Sequence, residues 1–456
     1  MSERRLKFLH RNYSRTGRWG WRMARRIRSF GWGIALFTTI TAVLGTDVEN
    51  SAIYMIFCFS ICTLLISSGW IFCRSAKLSG KRSLPDYGSV GQSLQYTIEV
   101  HNEHSRSLSA MTFEEWPPDP TPDYETFANT PEPGEEKRNI IDRLMLFYRW
   151  TWLQERERGF SILEATQSPR KLANNERARV SFNVTPQHRG LLQLTELRVL
   201  LPDPFGLFQR CQRVATPKDH IIVLPKRYTL DQFSLPGNAH LHLGGEAASN
   251  SIGQTGDFLH LRDYQSGDAM RSVDWKSWAR TGTPVVREYE DNFFPHYGVV
   301  LDTSSPPDQG FEEAVSVASS FVASLDTQEC LLDLMFIGEK SYRITAGQGV
   351  AHRSKLMEIL ATVQARKETD YDKLQSLVSR ESEHLTALLF IFPNWTKEKQ
   401  TFFSELQSQG IHATAFVIGD DKTEQIFREN PISDVHLLHL DRIAHDLTLA
   451  ASRLQI

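Results

Sequence analysis

The sequence predicts a multidomain chain: a two-helix transmembrane hairpin, an antiparallel β-sandwich, then an α/β doubly wound domain. Three patterns carry this reading. Two uncharged, mostly apolar stretches lie at 29–46 and 50–73. Apolar and polar residues alternate through much of 83–225, the period of half-buried strands. From 292 to 456, short continuous apolar runs alternate with helix-like segments, as in a parallel sheet covered on both faces.

A chain of 456 residues has room for about three domains of 100–200 residues. Its 51 basic and 54 acidic residues leave a net charge of −3, which gives no bulk attraction to nucleic acid. The basic residues are unevenly spread. Residues 1–28 form a basic tail with ten Arg and Lys (Arg4, Arg5, Lys7, Arg11, Arg15, Arg18, Arg22, Arg25, Arg26, Arg28) against Glu3 alone.

The hairpin follows from length. A bilayer core needs about 20 apolar residues per helix, and the 24 residues of 50–73 satisfy this. The 18 residues of 29–46 are Thr-rich, but Ile34, Leu36, Phe37, Ile40, Val43 and Leu44 still make a span. Only Asp47-Val48-Glu49 separates the two. A secretory signal also begins with a basic region, yet the immediate second span and the lack of a small-residue cleavage pattern argue against one. Basic residues precede the hairpin, and Arg74, Lys77, Lys81 and Arg82 follow it. The positive-inside rule then puts both termini and the soluble domains in the cytoplasm. Cys58, Cys62 and Cys73 lie in or at the edge of the second span, Cys211 and Cys330 are scattered singles, and no pair has zinc or redox spacing, in agreement with a reduced compartment.

In the sandwich, Gly91–Asn102 sets Leu94, Tyr96, Ile98 and Val100 on one face of a strand. Arg177–Val184 and Leu191–Leu201 repeat the pattern, with 186–190 as the turn. An immunoglobulin- or fibronectin-like sandwich fits. A loop and helix insertion occupies about 116–160: a Pro- and acid-rich part to 134, then a helical, partly apolar part over 139–159. The second part reads either as a membrane-surface or partner-binding element or as a helix packed on the sandwich; apolar stripes at helical spacing favour packing. Asp203-Pro-Phe-Gly-Leu-Phe208 reads as a Pro-fixed structural turn.

In the α/β domain, Tyr297–Leu301 begins a strand series continued by Leu331–Ile337, Ala387–Phe392, Ala413–Ile418 and Val435–Leu440, with a helix over Glu312–Leu325. Functional groups in such sheets gather at the carboxyl ends of strands, where Asp302 stands.

Ahead of this domain, Arg262-Asp-Tyr-Gln-Ser-Gly-Asp-Ala-Met-Arg-Ser-Val-Asp-Trp-Lys-Ser-Trp-Ala-Arg280 packs alternating charges and two tryptophans into 19 residues. From 262 to 291 there are five basic and six acidic residues. Near-balance points to self-paired ion pairs that hold the segment against the α/β domain, whereas a nucleic-acid face shows a basic excess. Trp275 and Trp278 serve equally as packing groups or as interface anchors, so internal scaffold and interface both stand.

The run closely resembles the signature of the domain-of-unknown-function-58 family, membrane-associated proteins of bacteria and archaea. Leu261, Arg262 and Tyr264 match its opening, with Asp263 where glutamate is commoner. Gly267, Asp268, Arg271, Asp274, Trp275, Lys276, Ala279 and Arg280 follow at the expected spacing, and Arg287, Glu288 and Glu290 resemble its close. His188-Arg-Gly-Leu-Leu and the 203–208 run resemble the family's β domain, so the likeness covers most of 85–305. It makes 226–291 a signature segment and 292–456 a von Willebrand factor A-like domain. It implies association with MoxR-type AAA+ ATPases and with membrane proteins carrying a transglutaminase-like domain, at the bacterial plasma membrane.

The same resemblance implies a magnesium site at the end of the first strand, where the fold has Asp-x-Ser-x-Ser. Here Asp302 and Ser304 match, but Pro306 has no hydroxyl, Phe392-Pro393-Asn394 lacks the usual Asp, and no threonine supplies the remaining ligand. Magnesium demands near-octahedral oxygen coordination, so the ligand count favours a degenerate site without cofactor, in which Asp302 caps its loop. Elsewhere the glycines at 244–245 and 253–256 lack a phosphate-loop order. His240/His242 and His436/His439 lack zinc spacing, and Ser304 and Ser305 lack a nucleophile elbow. Cys330 starts an apolar strand. The sequence therefore reads as a non-enzymatic, membrane-anchored protein-binding scaffold. A magnesium-dependent adhesion module is the alternative. A hydrolase, which would need a strongly shifted carboxyl at Asp268 or Asp274, ranks last.

Overall fold

The computed structural model describes residues 3–44, 51–132, 134–135, 138–157, 159–230, 258–289, 296–324, 331–337, 341–346, 350–366, 371–382, 385–411, 413–429 and 432–454. The expected hairpin turn at 47–49, the glycine-rich stretches, His240, His242 and Cys330 lie outside them. The chain forms two compact units, Met1–Leu224 and Pro225–Ile456.

The first unit opens with α1 (Glu3–Ala24). The expected tail is thus a helix. Leu6, Leu9 and Tyr13 share one face and pack on the insertion. Next come α2 (Ser29–Leu44) and α3 (Ser51–Cys73), which pack on each other. Their burial is inverted relative to a soluble helix pair. Thr38, Thr41 and Ser60 are buried, while Leu36, Phe37, Ile40, Phe59, Leu65 and Ile66 are exposed. The hydroxyls donate to their own helix, Thr38 to the Ile34 carbonyl at 2.7 Å and Ser60 to that of Ile56 at 2.9 Å. At 1.5 Å per residue α3 reaches about 34 Å, enough for a hydrocarbon core of about 30 Å, whereas the 16 residues of α2 reach about 24 Å. Among the described residues α3 alone is long and apolar enough to cross a membrane.

The β domain follows: β1 (Leu78–Ser83), β2 (Tyr87–Ser89), β3 (Leu94–Asn102), β4 (Leu108–Ser109) and β5 (Thr112–Trp116). The insertion supplies α4 (Tyr124–Asn129), α5 (Ile140–Met145) and α6 (Phe147–Glu157). Then come β6 (Leu163–Glu164), β7 (Lys171–Leu172), β8 (Arg177–Val184), β9 (Gly190–Leu194), β10 (Glu196–Pro202), β11 (Gln209–Arg213) and β12 (Asp219–Leu224). Sheets ordered β1-β3-β8, β11-β10-β5-β6 and β2-β12-β9 close on one core containing Tyr96, Ile98, Val100, Phe113, Phe182 and Leu201. Alternation located β3 and β8 correctly. The expected single strand 191–201 is instead β9 and β10, broken at Thr195. β9 pairs with β12, and β10 with β5 and β11, so the chain changes sheets there. The pair β2–β12 is parallel.

The buried face of the insertion clusters with α1, apart from the sandwich core. Leu146, Trp150 and Leu153 are buried with Phe127 against α1, while Ile140 is 80% and Ile141 70% exposed.

The second unit begins with β13 (Phe258–Asp263), α7 (Trp275–Thr281) and β14 (Val285–Tyr289). Its main sheet contains β15 (His296–Leu301), β16 (Leu331–Ile337), β17 (Ser341–Ala346), β18 (Ala387–Phe392), β19 (Ala413–Gly419) and β20 (Val435–His439). The helices are α8 (Gln309–Ser324), α9 (Val350–Thr362), α10 (Tyr371–Ser382), α11 (Lys397–Ser408), α12 (Asp421–Glu429) and α13 (Ile443–Leu454). The order is β17-β16-β15-β18-β19-β20, parallel except for the antiparallel edge strand β17. Every expected strand is present. The continuous burial of β18 and β19 explains why they read as apolar runs without alternation.

Candidate functional site

The strand order reverses between β15 and β18. A crevice at such a switch point, beyond the carboxyl ends of the strands, is where doubly wound sheets bind ligands. Asp302 follows β15, and Asn394 lies two residues past β18. The Asp302 amide donates to the Ile391 carbonyl at 3.0 Å, so the strand pairing itself seats the carboxylate. Its Oδ1 accepts from the Ser304 amide at 2.8 Å and the Ser304 hydroxyl at 2.7 Å. Asp302 therefore caps its loop, the arrangement the ligand count favoured.

The other carboxylate oxygen has a partner that motif reading missed. Lys399 Nζ lies 2.7 Å from Asp302 Oδ2, and each residue is only 2% exposed. The lysine sits in the first turn of α11, whose N-cap is Thr396. Its ammonium also donates to the Ser304 carbonyl at 3.1 Å and to Asn394 Oδ1. Tyr371 of α10 completes the cluster through Ser304 Oγ and Asp302 Oδ2. Burial, then the Asp302 charge, pushes the Tyr371 hydroxyl above its usual range. The only sequence signal for Lys399 was its place one helical turn beyond the Phe392-Pro393-Asn394 loop.

The signature residues build a separate module. β13 and β14 pair antiparallel, matching Leu261 with Arg287 and Arg262 with Val286. Between them Gly267 adopts φ +117°, which a side chain rarely tolerates. Arg262 forks onto Asp268, with both nitrogen–oxygen distances 2.8 Å, and Asp268 also accepts from the Gln265 amide. Asp274 caps α7 through the amides of Lys276 and Ser277, and Arg287 reaches it at 3.2 Å. Tyr264 donates its amide to the Pro284 carbonyl. Arginine holds both carboxyls below their usual range, Asp268 mainly through Arg262 and Asp274 mainly through Arg287. This is the reverse of a raised general acid. Outward stands Trp275, 58% exposed and stacked on Trp278 at 5.3 Å, and Met270, Arg271, Lys276 and Arg280 are exposed too.

A third cluster was not expected. Glu114 and Glu115 are buried side by side on β5. Arg82 pairs with Glu115 at 2.7 Å, and Arg25 with Glu114 at 3.3 Å. Burial pushes both carboxyls up, against the pull of those arginines. Among the described residues no group of three or more His, Cys, Asp or Glu has metal-binding geometry.

Fold and sites together define a multidomain α/β protein with a long apolar helix and a self-clamped strand–helix–strand module. The chain carries a DUF58 domain: residues 260–407 match the family described as “Protein of unknown function DUF58”, from β13 through α11, which takes in both the module and Lys399. The “Uncharacterized protein YeaD” of Bacillus subtilis is 26% identical over 184 residues, 40% of this chain and 45% of the relative. That alignment spans less than half of the relative's length. Two solved structures score low: the CARDB domain of a Pyrococcus furiosus protein (10% identity, 33% of this chain and 89% of that one, TM-score 0.17) and a Vibrio harveyi GH20 exo-β-N-acetylglucosaminidase (10%, 76% and 57%, 0.15). At these scores neither likeness bears on fold or function.

Proposed function

We propose that the chain is a membrane-anchored, non-enzymatic scaffold that binds proteins through the signature module, with a MoxR-type AAA+ ATPase as partner and a transglutaminase-like membrane protein as a further associate. One observation carries the reading: Arg262–Asp268 and Asp274–Arg287 commit four of the module's charges to its own shape, while Trp275 stands as an exposed aromatic. Exposed aromatics beside arginine are the chemistry of interface hot spots. The partners themselves rest on the family resemblance, as does the von Willebrand factor A-like reading of the second unit. The doubly wound sheet with Asp302 at the end of a central strand supports the latter.

The two-pass topology draws support from the inverted burial of α2 and α3. Helices that face lipid expose apolar side chains and keep small hydroxyl residues between them. Exposed Arg4, Lys7, Arg11 and Arg15 on α1 and the outward Ile140, Ile141 and Phe147 suit a cytoplasmic bilayer surface rich in anionic lipid.

The test is purification of the tagged full-length chain from native membranes with nucleotide present. A stoichiometric AAA+ ATPase that co-elutes with wild type and is lost on Trp275→Ala supports the reading. Recovery of the chain alone, or unaltered capture by the variant, counts against it.

A further inference from the structure

We infer that Lys399 is a tethered cation standing where the resemblance would put magnesium, so that the switch-point site works without a divalent ion. The oxygens nominally available to a metal do not fit one. Asp302 Oδ1 is committed to the Ser304 amide and hydroxyl, and its Oδ2 lies 2.7 Å from the ammonium. The Asn394 side-chain oxygen and the Ser304 carbonyl also accept from Lys399. Pro306 offers no hydroxyl. One ammonium thus takes three oxygen acceptors from two loops, as a small hard cation would.

The surroundings fix this arrangement. The Thr303 hydroxyl donates to the Ile337 carbonyl at 2.6 Å, the Ser305 amide to the Arg366 carbonyl, and the Arg366 amide back to the Thr303 carbonyl. Asn394 Nδ2 reaches Ser305 Oγ. A metal could enter only by displacing this buried ammonium from its three oxygen partners. Because Lys399 is 2% exposed, its charge is not offered to a partner's carboxylate either. The role is internal: it joins the loop after β15 to the helix after β18 across the point where the sheet changes direction. Recognition then falls to other surfaces, in keeping with the proposed role of the signature module. The lock rests on its own geometry and stands or falls independently of that role.

The experiment uses the full-length protein in detergent, with Mn²⁺ titration and thermal unfolding. Wild type is expected to show no saturable Mn²⁺ binding that depends on Asp302, and a Tm unmoved by Mg²⁺ or EDTA. Lys399→Met, which strands a buried carboxylate, lowers Tm by on the order of 10 °C. Asp302→Asn together with Lys399→Met recovers most of that loss, because removing both charges is far milder than removing one. Lys399→Ala, with space beside the bare carboxylate, gains an Mn²⁺-dependent rise in Tm that the Asp302→Asn/Lys399→Ala double variant lacks. Stoichiometric Mn²⁺ binding by wild type, abolished in Asp302→Asn, overturns the proposal. That titration decides the matter even where a Lys399 variant fails to fold.

Discussion

Ser67, in the apolar helix α3, donates its hydroxyl at 2.7 Å to Asp203, the first residue of the Asp-Pro-Phe-Gly-Leu-Phe turn, and both residues are buried. The same carboxylate caps its own turn through the amides of Phe205 and Phe208. The turn also receives α2: the Arg28 amide donates to the Leu207 carbonyl, and a Cβ on Gly31 would collide with that oxygen. Arg74 and Arg210 strengthen the seam, Arg74 donating to the Pro202 carbonyl and Arg210 to those of Ile71 and Phe72. The turn is therefore the seat on which the apolar helices rest.

Asp203→Ala is expected to strand three donors, at about 1–3 kcal/mol for a buried group left unmatched, and to loosen the β domain from the helices. Gly31→Leu should act in the same direction by overpacking, at about 1–3 kcal/mol. Thermal unfolding in detergent, with hydrogen exchange over 203–213, reads both. A variant with wild-type Tm and exchange would refute the seat.

Arg262→Lys keeps the charge at the signature clamp but loses the two-pronged contact with Asp268. Limited proteolysis between 264 and 274 should speed up in Arg262→Lys and in Asp268→Asn, while Trp275→Ala cuts at the wild-type rate. Equal resistance in all three would mean that the clamp does not hold the module's shape.

Elements with a local period were the legible ones. Tyr96, Ile98 and Val100 alternate inward on β3, and Ala387–Phe392 is buried on both faces, so each pattern names its own environment. Where tertiary partners decide, the sequence was silent. Nothing local marks Thr195 as the point where the chain leaves one sheet for another. The polar edge strand β17 carries Arg343 and Thr345 and so lacks an apolar run. Self-pairing in the signature followed from its charge balance, but which arginine meets which aspartate did not. Lys399 was overlooked because metal-site reasoning searches for oxygens, and the group that settles the Asp302 charge is a nitrogen far along the chain. Asp203 was read as a turn residue, which it is; its client Ser67 sits in an apolar helix where a lone hydroxyl carries no signal.

The proposed membrane-surface role of the insertion predicts how a reporter on it behaves. With the five native cysteines changed to serine, an environment-sensitive dye at Ile141→Cys should shift to the blue when the full chain enters nanodiscs containing anionic lipid. The shift should shrink in neutral lipid, since exposed Arg4, Lys7, Arg11 and Arg15 lose their counter-charge. A dye at Arg177→Cys, on an exposed position of β8, serves as the control and should not respond. Identical behaviour at 141 and 177 would leave the patch without a lipid role.

Asp333 is expected to tie the stability of the second unit to acid. It is fully buried on β16, with His296 Nε2 at 3.2 Å and Arg343 Nε at 2.8 Å, and Arg343 in turn pairs with Glu381. Burial pulls the Asp333 carboxyl up, but His296, Thr345 and Arg343 outweigh it and hold it below its ordinary value of 3.8. A carboxyl depressed in the folded state contributes stability that is complete above the unfolded value and lost as pH falls through the folded one. The contribution is thus intact from neutral pH to about 5, begins to fall near the ordinary value of 3.8 and is lost as pH drops through the still lower folded value. Asp333→Asn should lower stability at pH 7 by about 3 kcal/mol, the low end for a broken buried pair because Arg343 is partly solvated. The gap between wild type and variant should then narrow as the buffer is taken from pH 5 to 3. A Tm series across that range measures the gap, and a constant offset between the two proteins would show that the depressed carboxyl is not what ties this unit's stability to acid.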